Sequence, residues 1–185
     1  MELVQNKLFY HIQVLYPYVH PWGINDVHHI GSDKNYFMSY FDTFPIDQLA
    51  DNQKLAEYAK FSREIIFEEI RQRYFPHLPS RHHCVWLIPA NNMQAITFWK
   101  QQLTDNNPSL DVQILQLECT GIIHYANQKY VEISFGNMNV YRDKAYSYWL
   151  GTDAHPDSLD TEGIFEGTCK VKARLATHPQ LFPDT

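Results

Sequence analysis

Hydrophobic and polar positions follow two different periods along this chain. Alternation of apolar and polar residues predicts strands over residues 7–15, 112–119 and 129–135. A short apolar run predicts a buried strand over residues 84–88, and apolar residues at every second position predict a last strand over residues 163–175. The pattern therefore predicts five strands distributed over the whole chain.

Other segments have the three- and four-residue spacing of helices. Residues 46–74 are predicted to form a long helix in the first half of the chain, with Asp47 as its N-cap. A short helix is predicted to begin after a cap at residues 91–92. A further helix is predicted over residues 143–150, with Gly151 at its end.

Strands and helices are interspersed without the regular spacing of βαβ units, which favours an α+β fold over a doubly wound sheet. Residues 16–45 contain three prolines and two glycines and are predicted to form a long irregular segment. No linker or internal repeat divides the 185 residues. We therefore expect one domain over residues 1–185.

Charge and cysteine content narrow the classes of function. The net charge is −6 and no run of lysine or arginine stands out, which argues against broad binding to nucleic acid or to anionic membranes. Three widely spaced cysteines form neither a disulfide framework nor a metal knuckle. The N-terminal residues lack a signal sequence, and we expect a cytoplasmic protein with no membrane segment.

Two residues, one within a predicted strand and one just before another, are candidates for binding. His11 lies within the first strand, where it is either a structural residue or a rigid hydrogen-bonding group aimed at a fixed hydroxyl. Arg81 follows Ser80 and precedes an apolar strand. Its guanidinium is either a clamp for a phosphate or a charge that is solvated or paired with a helix carboxylate.

Aromatic and acidic residues in the second half of the chain supply further candidates. Tyr148 and Trp149 either pack on the sheet or stack on a planar cofactor. Glu162 and Glu166 share one face of the last strand, where a carboxylate either stabilises a developing cation or is a solvated edge charge.

Two other groups of residues are given structural interpretations. The charged residues at 63–71 are spaced to form i,i+4 pairs on a solvated helix face. The histidine pairs at 28–29 and 82–83 do not predict a metal site, because His82 and His83 would point to opposite faces of a strand and no HExxH or paired-cysteine motif completes the set.

Five short motifs occur in a characteristic order: FYH at residues 9–11, RE..FE.iR at 63–71, PSR at 79–81, YW.G at 148–151 and E.iF.G at 162–167. In this order they resemble bacterial domain-of-unknown-function family 2441, whose members are similar to ADP-ribosyltransferases. The matching segments are scattered over nearly the whole chain.

The resemblance implies a split, mostly antiparallel β-sandwich with NAD, the substrate, in a cleft between two small sheets. It implies that His11 holds the adenosine ribose and that Glu162 binds the nicotinamide ribose and promotes transfer. It also assigns Arg81 and Ser80 to the pyrophosphate or the adjoining ribose. Aromatic rings would sandwich nicotinamide, and the candidates are Tyr148, Trp149 and Tyr36.

The function expected from this resemblance is mono-ADP-ribosyl transfer to a protein or nucleic-acid acceptor, by a toxin or effector that is in some cases delivered to a target cell. Asp160 and Glu162 give only D-x-E in place of the Glu-x-Glu pair of arginine-modifying relatives, and a Ser-Thr-Ser strand is missing. The acceptor therefore stays open, as does simple hydrolysis of NAD. The alternative is a non-catalytic NAD-binding, nucleotide-binding or interaction module on the same fold.

Overall fold

Helices and strands follow one another without a simple repeat. The computed structural model describes residues 1–16, 19–105, 110–133 and 137–175. Within them the strands are β1 (Glu2–Val14), β2 (Val27–Ile30), β3 (Val85–Pro89), β4 (Val112–Asn127) and β5 (Thr161–Leu175). The helices are α1 (Tyr36–Thr43), α2 (Asp51–Tyr74), α3 (Met93–Thr104) and α4 (Met138–Leu150).

The five strands form one antiparallel sheet that closes on itself. Its order is β2-β5-β3-β1-β4, and β5 also pairs with β4 along most of its length. Strands β5, β3, β1 and β4 therefore make a closed ring, which removes two exposed edges. Apolar side chains from these four strands share one core inside the ring: Val4, Phe9, Val85, Leu87, Leu115, Leu117, Cys119, Ile123, Phe165, Cys169 and Val171.

Two smaller cores lie between the ring and the helices. Helix α3 packs on apolar residues of β1, β3 and β4, including Ile88 and Ile114. Helices α2 and α4 pack together over β5, where Phe67, Trp149 and Ile164 are almost completely buried. Several of the short sequence motifs contribute residues to this second helical core.

The glycine that closes the last motif permits a close approach of two strands. Gly167 lies opposite Gly121 across the β4–β5 pair, and both have positive φ. A Cβ atom at Gly167 would lie 2.5 Å from the carbonyl oxygen of Thr120 and 2.7 Å from the Cα of Gly121. Any side chain here would force the strands apart, because non-bonded heavy atoms do not approach so closely.

The α+β class and the antiparallel pairing predicted from the sequence are confirmed. Asn92 caps α3 as one of the two predicted candidates, since its side chain accepts a hydrogen bond from the N–H of Ala95. Helix α4 ends as predicted at Gly151, which has φ of 74° and donates its N–H to carbonyl groups of the last turn.

The prediction of Asp47 as a helix cap is wrong. Residues Ile46–Gln48 form a separate 3-10 turn, and α2 begins only at Asp51. At that start the side-chain oxygen of Gln53 accepts a hydrogen bond from the N–H of Ala50. The apolar spacing runs through both elements, and so it conceals the break between them.

Two further predictions are corrected by the structure. Residues 16–45 contain β2 and α1, apart from 17–18, which lie outside the described residues. The strand predicted over residues 129–135 is absent as far as residue 133, and residues 134–136 lie outside the described part. A 3-10 turn at Gln128–Tyr130 replaces its start, because the Asn127 side chain accepts a hydrogen bond from the N–H of Lys129.

No helix in the described residues combines the length and the apolar character that crossing a membrane requires. Cys84, Cys119 and Cys169 are buried free thiols.

Candidate functional site

The turn between α2 and β3 brings together motifs that are far apart in the sequence. Ser80 and Arg81 in this turn are 5% and 4% exposed. Helix α2 supplies Glu64 from one side, and β5 supplies Glu162 from the other. A buried ionic cluster therefore forms where three of the short motifs meet.

The guanidinium of Arg81 is divided between two carboxylates. Its Nε donates to Oε2 of Glu64 at 2.9 Å, and its Nη2 donates to Oε1 of Glu64 at 3.3 Å. Its Nη1 donates to the hydroxyl of Tyr148 and to Oε1 of Glu162. Every nitrogen of Arg81 thus donates to a protein oxygen, and the helix-carboxylate pairing considered from the sequence is the one observed.

The two carboxylate oxygens of Glu162 differ in their surroundings. Oε1 accepts hydrogen bonds from both Arg81 and the Tyr148 hydroxyl. Oε2 accepts no hydrogen bond from the residues that the structure describes, and 10% of the side chain is exposed. The carboxylate is therefore fixed through one oxygen while the other is available to a ligand.

Burial and charge pull the pKa values of this cluster in different directions. Burial acts to lower the pKa of Arg81, but Glu162 and Glu64 overcome it and hold that pKa well above its ordinary value. Burial acts to raise the pKa of Glu64, and the neighbouring Arg81 and Arg63 bring it below its usual range. For Tyr148, burial and the charge of Glu162 raise the pKa well above the ordinary value. These shifts favour Arg81 as a cation, Glu64 as an anion and Tyr148 as a neutral phenol.

Ser80 is anchored by two further carboxylates. Its hydroxyl donates to Oε2 of Glu68 at 2.9 Å, and its N–H donates to Oε1 of Glu166 at 2.7 Å. Arg71 pairs with Glu68 from the next turn of α2. The expectation of a solvated charged face at residues 63–71 is therefore wrong, since Glu64 is fully buried and Glu68 reaches the turn.

Helix α1 closes the same turn from another direction. The side-chain amide of Asn35 donates to the carbonyl oxygen of Arg81 at 2.6 Å and to that of Cys84 at 3.1 Å. The side-chain oxygen of Asn35 also caps α1 by accepting from the N–H of Met38. One residue thus fixes both the helix start and the entrance to β3.

His11 contacts the backbone of Trp86, whose ring in turn contacts Arg81 of the ionic cluster. Pairing of β1 with β3 occurs at Phe9 and Tyr10. At the next residue the Nδ1 of His11 lies 3.0 Å from the carbonyl oxygen of Trp86. A carbonyl can only accept, so Nδ1 carries the proton and Nε2 of the neutral ring is an acceptor. Desolvation lowers the pKa of His11 to about 4, which keeps the ring neutral.

The indole ring of Trp86 extends from this position towards Glu162. Its centroid is 5.6 Å from Cζ of Arg81, within the range of a cation–π contact. Trp86 is opposite Ile164 in the β3–β5 pair, so Glu162 is its diagonal neighbour on the same face. Trp86 is only partly buried, and its ring packs against the α2–α4 core beside Arg81, whereas His11 contacts its backbone carbonyl oxygen.

A stacked pair of rings, Trp22 and His28, lies next to His11. The ring of Trp22 lies 5.3 Å from that of His11 and 3.8 Å from that of His28. The Trp22 backbone is fixed by the buried amides of Gln13 and Gln113, which bind its N–H and its carbonyl oxygen. His11 thus contacts the ring of Trp22 and the backbone carbonyl oxygen of Trp86.

The predicted aromatic candidates Tyr148, Trp149 and Tyr36 differ in their contacts. Tyr148 is fully buried with its hydroxyl on the ionic pair. Trp149 is 1% exposed and its Nε1 donates to the carbonyl oxygen of Phe67 at 2.7 Å, so its ring is part of the helical core. Tyr36 is partly buried in α1 and stacks on Tyr16. The rings of Tyr148 and Trp149 are in contact, with centroids 5.0 Å apart, but both are buried in the helical core, and Tyr36 lies elsewhere on α1.

The structure brings together Ser80, Arg81, Tyr148 and Glu162, whereas His11 is hydrogen-bonded to the backbone of Trp86 and to none of these side chains. Neither Glu64 nor Trp86 was recognised as part of a site from the sequence. The alternating strand around Trp86 indicates only burial, and Glu64 looks like an ordinary member of a charged helix face. In the described residues no three His, Cys, Asp or Glu side chains are grouped so as to hold a metal ion.

Comparison with protein families matches residues 9–177 to a family described as a protein of unknown function (DUF2441). The match covers most of the chain and includes all five motifs. No curated protein matches the sequence.

Proposed function

The chain belongs to the DUF2441 family, and we propose that it is an NAD-dependent ADP-ribosyltransferase in which Glu162 is the catalytic carboxylate. The observation that carries this proposal is the division of that carboxylate: Oε1 is held by Arg81 and Tyr148, whereas Oε2 is free of protein partners in the described residues. A buried, oriented anion with one available oxygen is suited to stabilising a developing positive charge.

The reaction requires few functional groups. The bond between the nicotinamide nitrogen and C1′ of its ribose breaks, and the electron pair goes to nicotinamide, which leaves as a neutral molecule. The ribose becomes oxocarbenium-like, as in glycoside cleavage. An acceptor oxygen or nitrogen then bonds to C1′ and loses a proton. Glu162 would accept a hydrogen bond from a hydroxyl of this ribose and stabilise the cation.

Arg81 takes a different role from the one expected. All of its nitrogens are bound by protein oxygens, so in our proposal it orients Glu162 and does not contact phosphate. Ser80 likewise acts by holding the turn through Glu68 and Glu166. These contacts fix the geometry of the carboxylate before substrate binds.

His11 and Trp86 are the proposed contacts to the rest of NAD. Nε2 of His11 is an acceptor suited to a ribose hydroxyl, because Nδ1 is committed to the Trp86 carbonyl. The partly exposed ring of Trp86 lies next to the ionic pair and is a better candidate for stacking on nicotinamide than the buried Tyr148 and Trp149. Tyr36, in the neighbouring α1, stays a candidate for the opposite face.

A relationship to the ADP-ribosyltransferase fold is proposed on the same grounds, with strands β1–β5 in one closed sheet and not in two small sheets. The strands are antiparallel, the histidine lies on the first strand and the glutamate on the last, in the order that the resemblance implies. A cytoplasmic site of synthesis and a macromolecular acceptor, protein or nucleic acid, belong to the same proposal.

Release of nicotinamide tests the proposal. Purified protein with NAD and a cell lysate should release nicotinamide, and Glu162→Gln should reduce the rate at least about 100-fold, as expected when a group that stabilises the transition state is neutralised. Glu166→Gln should have the smaller effect, and the reverse order would assign the carboxylate role to Glu166. Glu118→Gln, which removes a surface carboxylate paired with Lys172, is the control.

The fate of the ADP-ribose separates transfer from hydrolysis. With NAD labelled in the adenosine moiety, transfer places the label on protein or nucleic acid, whereas hydrolysis releases free ADP-ribose. Label on a macromolecule that disappears in Glu162→Gln supports the transferase. Free ADP-ribose alone would show an NAD hydrolase using the same carboxylate.

A non-catalytic NAD- or nucleotide-binding module is the second candidate. It is favoured by the burial of the ionic pair, since only 10% of the Glu162 side chain is exposed. Calorimetry would then show that NAD binds, while no nicotinamide appears with any lysate. A ligand at 100 times its Kd would also stabilise the fold by about 2.7 kcal/mol.

A further inference from the structure

Glu64 is a fully buried carboxylate on α2 to which the proposed reaction assigns no role. We propose that Glu64 is a positioning residue: it holds one edge of Arg81 and thereby keeps Oε2 of Glu162 free for substrate. This inference rests on the proposed function, because it concerns the same carboxylate.

The contacts of Arg81 show how the two glutamates divide the guanidinium. Nε and Nη2 form one edge and both point to Glu64, at 2.9 and 3.3 Å. Only Nη1 reaches Glu162. An arginine and a carboxylate otherwise favour a fork of two parallel hydrogen bonds. By binding the Nε–Nη2 edge, Glu64 holds the guanidinium in the orientation in which Nη1 alone reaches Glu162, and the second N–H of Nη2 is kept away from Oε2.

Loss of the charge at Glu64 would release this edge. A neutral amide competes poorly with a carboxylate for a guanidinium, so Nη2 would turn to Oε2 of Glu162 and complete the fork. Both oxygens of Glu162 would then be engaged by protein. The carboxylate would keep its charge and its position but lose the oxygen that is available to the ribose.

Glu64 is itself held in place by a second arginine. Nε and Nη2 of Arg63 donate to Oε1 of Glu64 at 2.9 and 2.7 Å, and Nη1 of Arg63 donates to the carbonyl oxygen of Val131 at 2.6 Å. Two arginines and two glutamates therefore alternate through the cluster with no net charge. This arrangement gives a function to the α2 motif, whose first two residues are Arg63 and Glu64.

The test compares Glu64→Gln with wild type in nicotinamide release and in binding of NAD. We expect kcat to fall about 10- to 100-fold, the range seen when a partner that orients a functional group is removed, while the Kd for NAD changes less than about twofold. Glu64→Asp, which keeps the charge, should lie between the two. Glu69→Gln, an exposed carboxylate on the same helix, should behave as wild type.

A merely structural role would lower the free energy of unfolding and leave kcat per folded molecule unchanged. That result in Glu64→Gln would overturn the proposal while leaving the proposed function intact. If Glu64→Gln does not fold, Glu64→Asp decides: a lower kcat at unchanged Kd supports the proposal, and a wild-type kcat overturns it.

A crystal structure of ligand-free Glu64→Gln, or of Glu64→Asp in its place, separates the two claims. Nη2 of Arg81 should lie within hydrogen-bonding distance of Oε2 of Glu162 in the Gln variant and farther away in wild type. An unmoved Arg81 would overturn the positioning role even in a chain that never cleaves NAD. Absence of nicotinamide release from wild type would overturn the proposed function alone.

Discussion

Four charged side chains from three segments of the chain are placed where water is almost excluded. Arg81 lies between Glu64 and Glu162, and Arg63 completes the cluster. Such a group is stable only while its charges are paired, because an isolated buried charge carries a large desolvation cost. The same pairing fixes the orientation of the Glu162 carboxylate, which the proposed chemistry requires.

Replacing the central arginine should therefore be severe. Arg81→Met keeps the length of the side chain but leaves Glu162 without a cation and Glu64 with only Arg63. We expect a loss of about 3–5 kcal/mol in the free energy of unfolding, measured by urea denaturation. Arg73→Met, at an exposed position of α2, should change it by less than about 0.5 kcal/mol. A loss below about 1 kcal/mol for Arg81→Met would show that the cluster is not charged as described.

A buried histidine should make stability depend on pH. His124 is 4% exposed, its Nδ1 has no partner in the described residues, and burial lowers its pKa to about 4. The unfolded chain takes up this proton near pH 6.5, whereas the folded chain resists it until about pH 4. The free energy of unfolding should thus fall by up to about 3 kcal/mol as the pH drops through this window.

His124→Phe isolates that contribution, since the other ionisable groups stay the same. Its free energy of unfolding should change less than that of wild type between pH 7 and pH 4.5 in guanidinium or urea titrations. Part of the wild-type dependence should persist, because desolvation also lowers the pKa of His11 to about 4. Equal dependence in the two proteins would exclude a neutral buried His124.

Helices α2 and α4 contribute Glu64 and Tyr148 to the site, and the packing of the two helices positions these side chains. The buried face of α2 presents Glu64 and Phe67 towards the ring, and the ring of Phe67 lies 5.2 Å from that of Tyr148 in α4. Gly151 ends α4 two residues after Trp149, so the chain can turn back towards the last strand.

The end of α4 should be sensitive to the residue at Gly151. Gly151→Ala places a Cβ atom in the left-handed region, at φ of 74° and 3.3 Å from the carbonyl oxygen of Tyr125. We expect a loss of about 1 kcal/mol in the free energy of unfolding. Gly151→Asn should lose less in the same denaturation experiment, since asparagine tolerates this conformation. An alanine variant as stable as wild type would contradict the observed cap.

Strong local patterns were sufficient to predict some elements and not others. The long helix, the cap at Asn92 and the end at Gly151 follow from spacing and from side-chain capping, which are properties of neighbouring residues. Strand β2 has four residues, two of them histidines, and exists through its pairing with β5. Pairing of this kind leaves no signal in a local pattern.

The candidate site was predictable in its parts and not in its contacts. Arg81 paired with a helix carboxylate was one of two interpretations left open, but nothing in the sequence distinguishes Glu64 from its acidic neighbours on α2. Trp86 was hidden because a tryptophan in an apolar strand normally indicates a core. Both assignments depend on the crossing of α2 over β5, which is a tertiary feature.

The strands of the closed ring also contribute residues to both helical cores, so we expect the ring and the helices to unfold together. The four tryptophans report on all three cores: Trp22 on the ring, Trp86 and Trp149 on the α2–α4 core, and Trp99 on the α3 core. Tryptophan fluorescence and far-ultraviolet circular dichroism should therefore give coincident urea transitions, as one cooperative domain requires. A fluorescence transition at a lower urea concentration than the circular dichroism transition would show that the chain unfolds as two units.

The most direct test of NAD cleavage at this site is a crystal structure with a non-hydrolysable NAD analogue. We predict a hydroxyl of the nicotinamide ribose about 2.6–3.2 Å from Oε2 of Glu162, with Arg81 still bound to Oε1 and Nε2 of His11 on the adenosine ribose. An analogue bound elsewhere, with the Glu162 carboxylate untouched, would contradict the catalytic role of that residue.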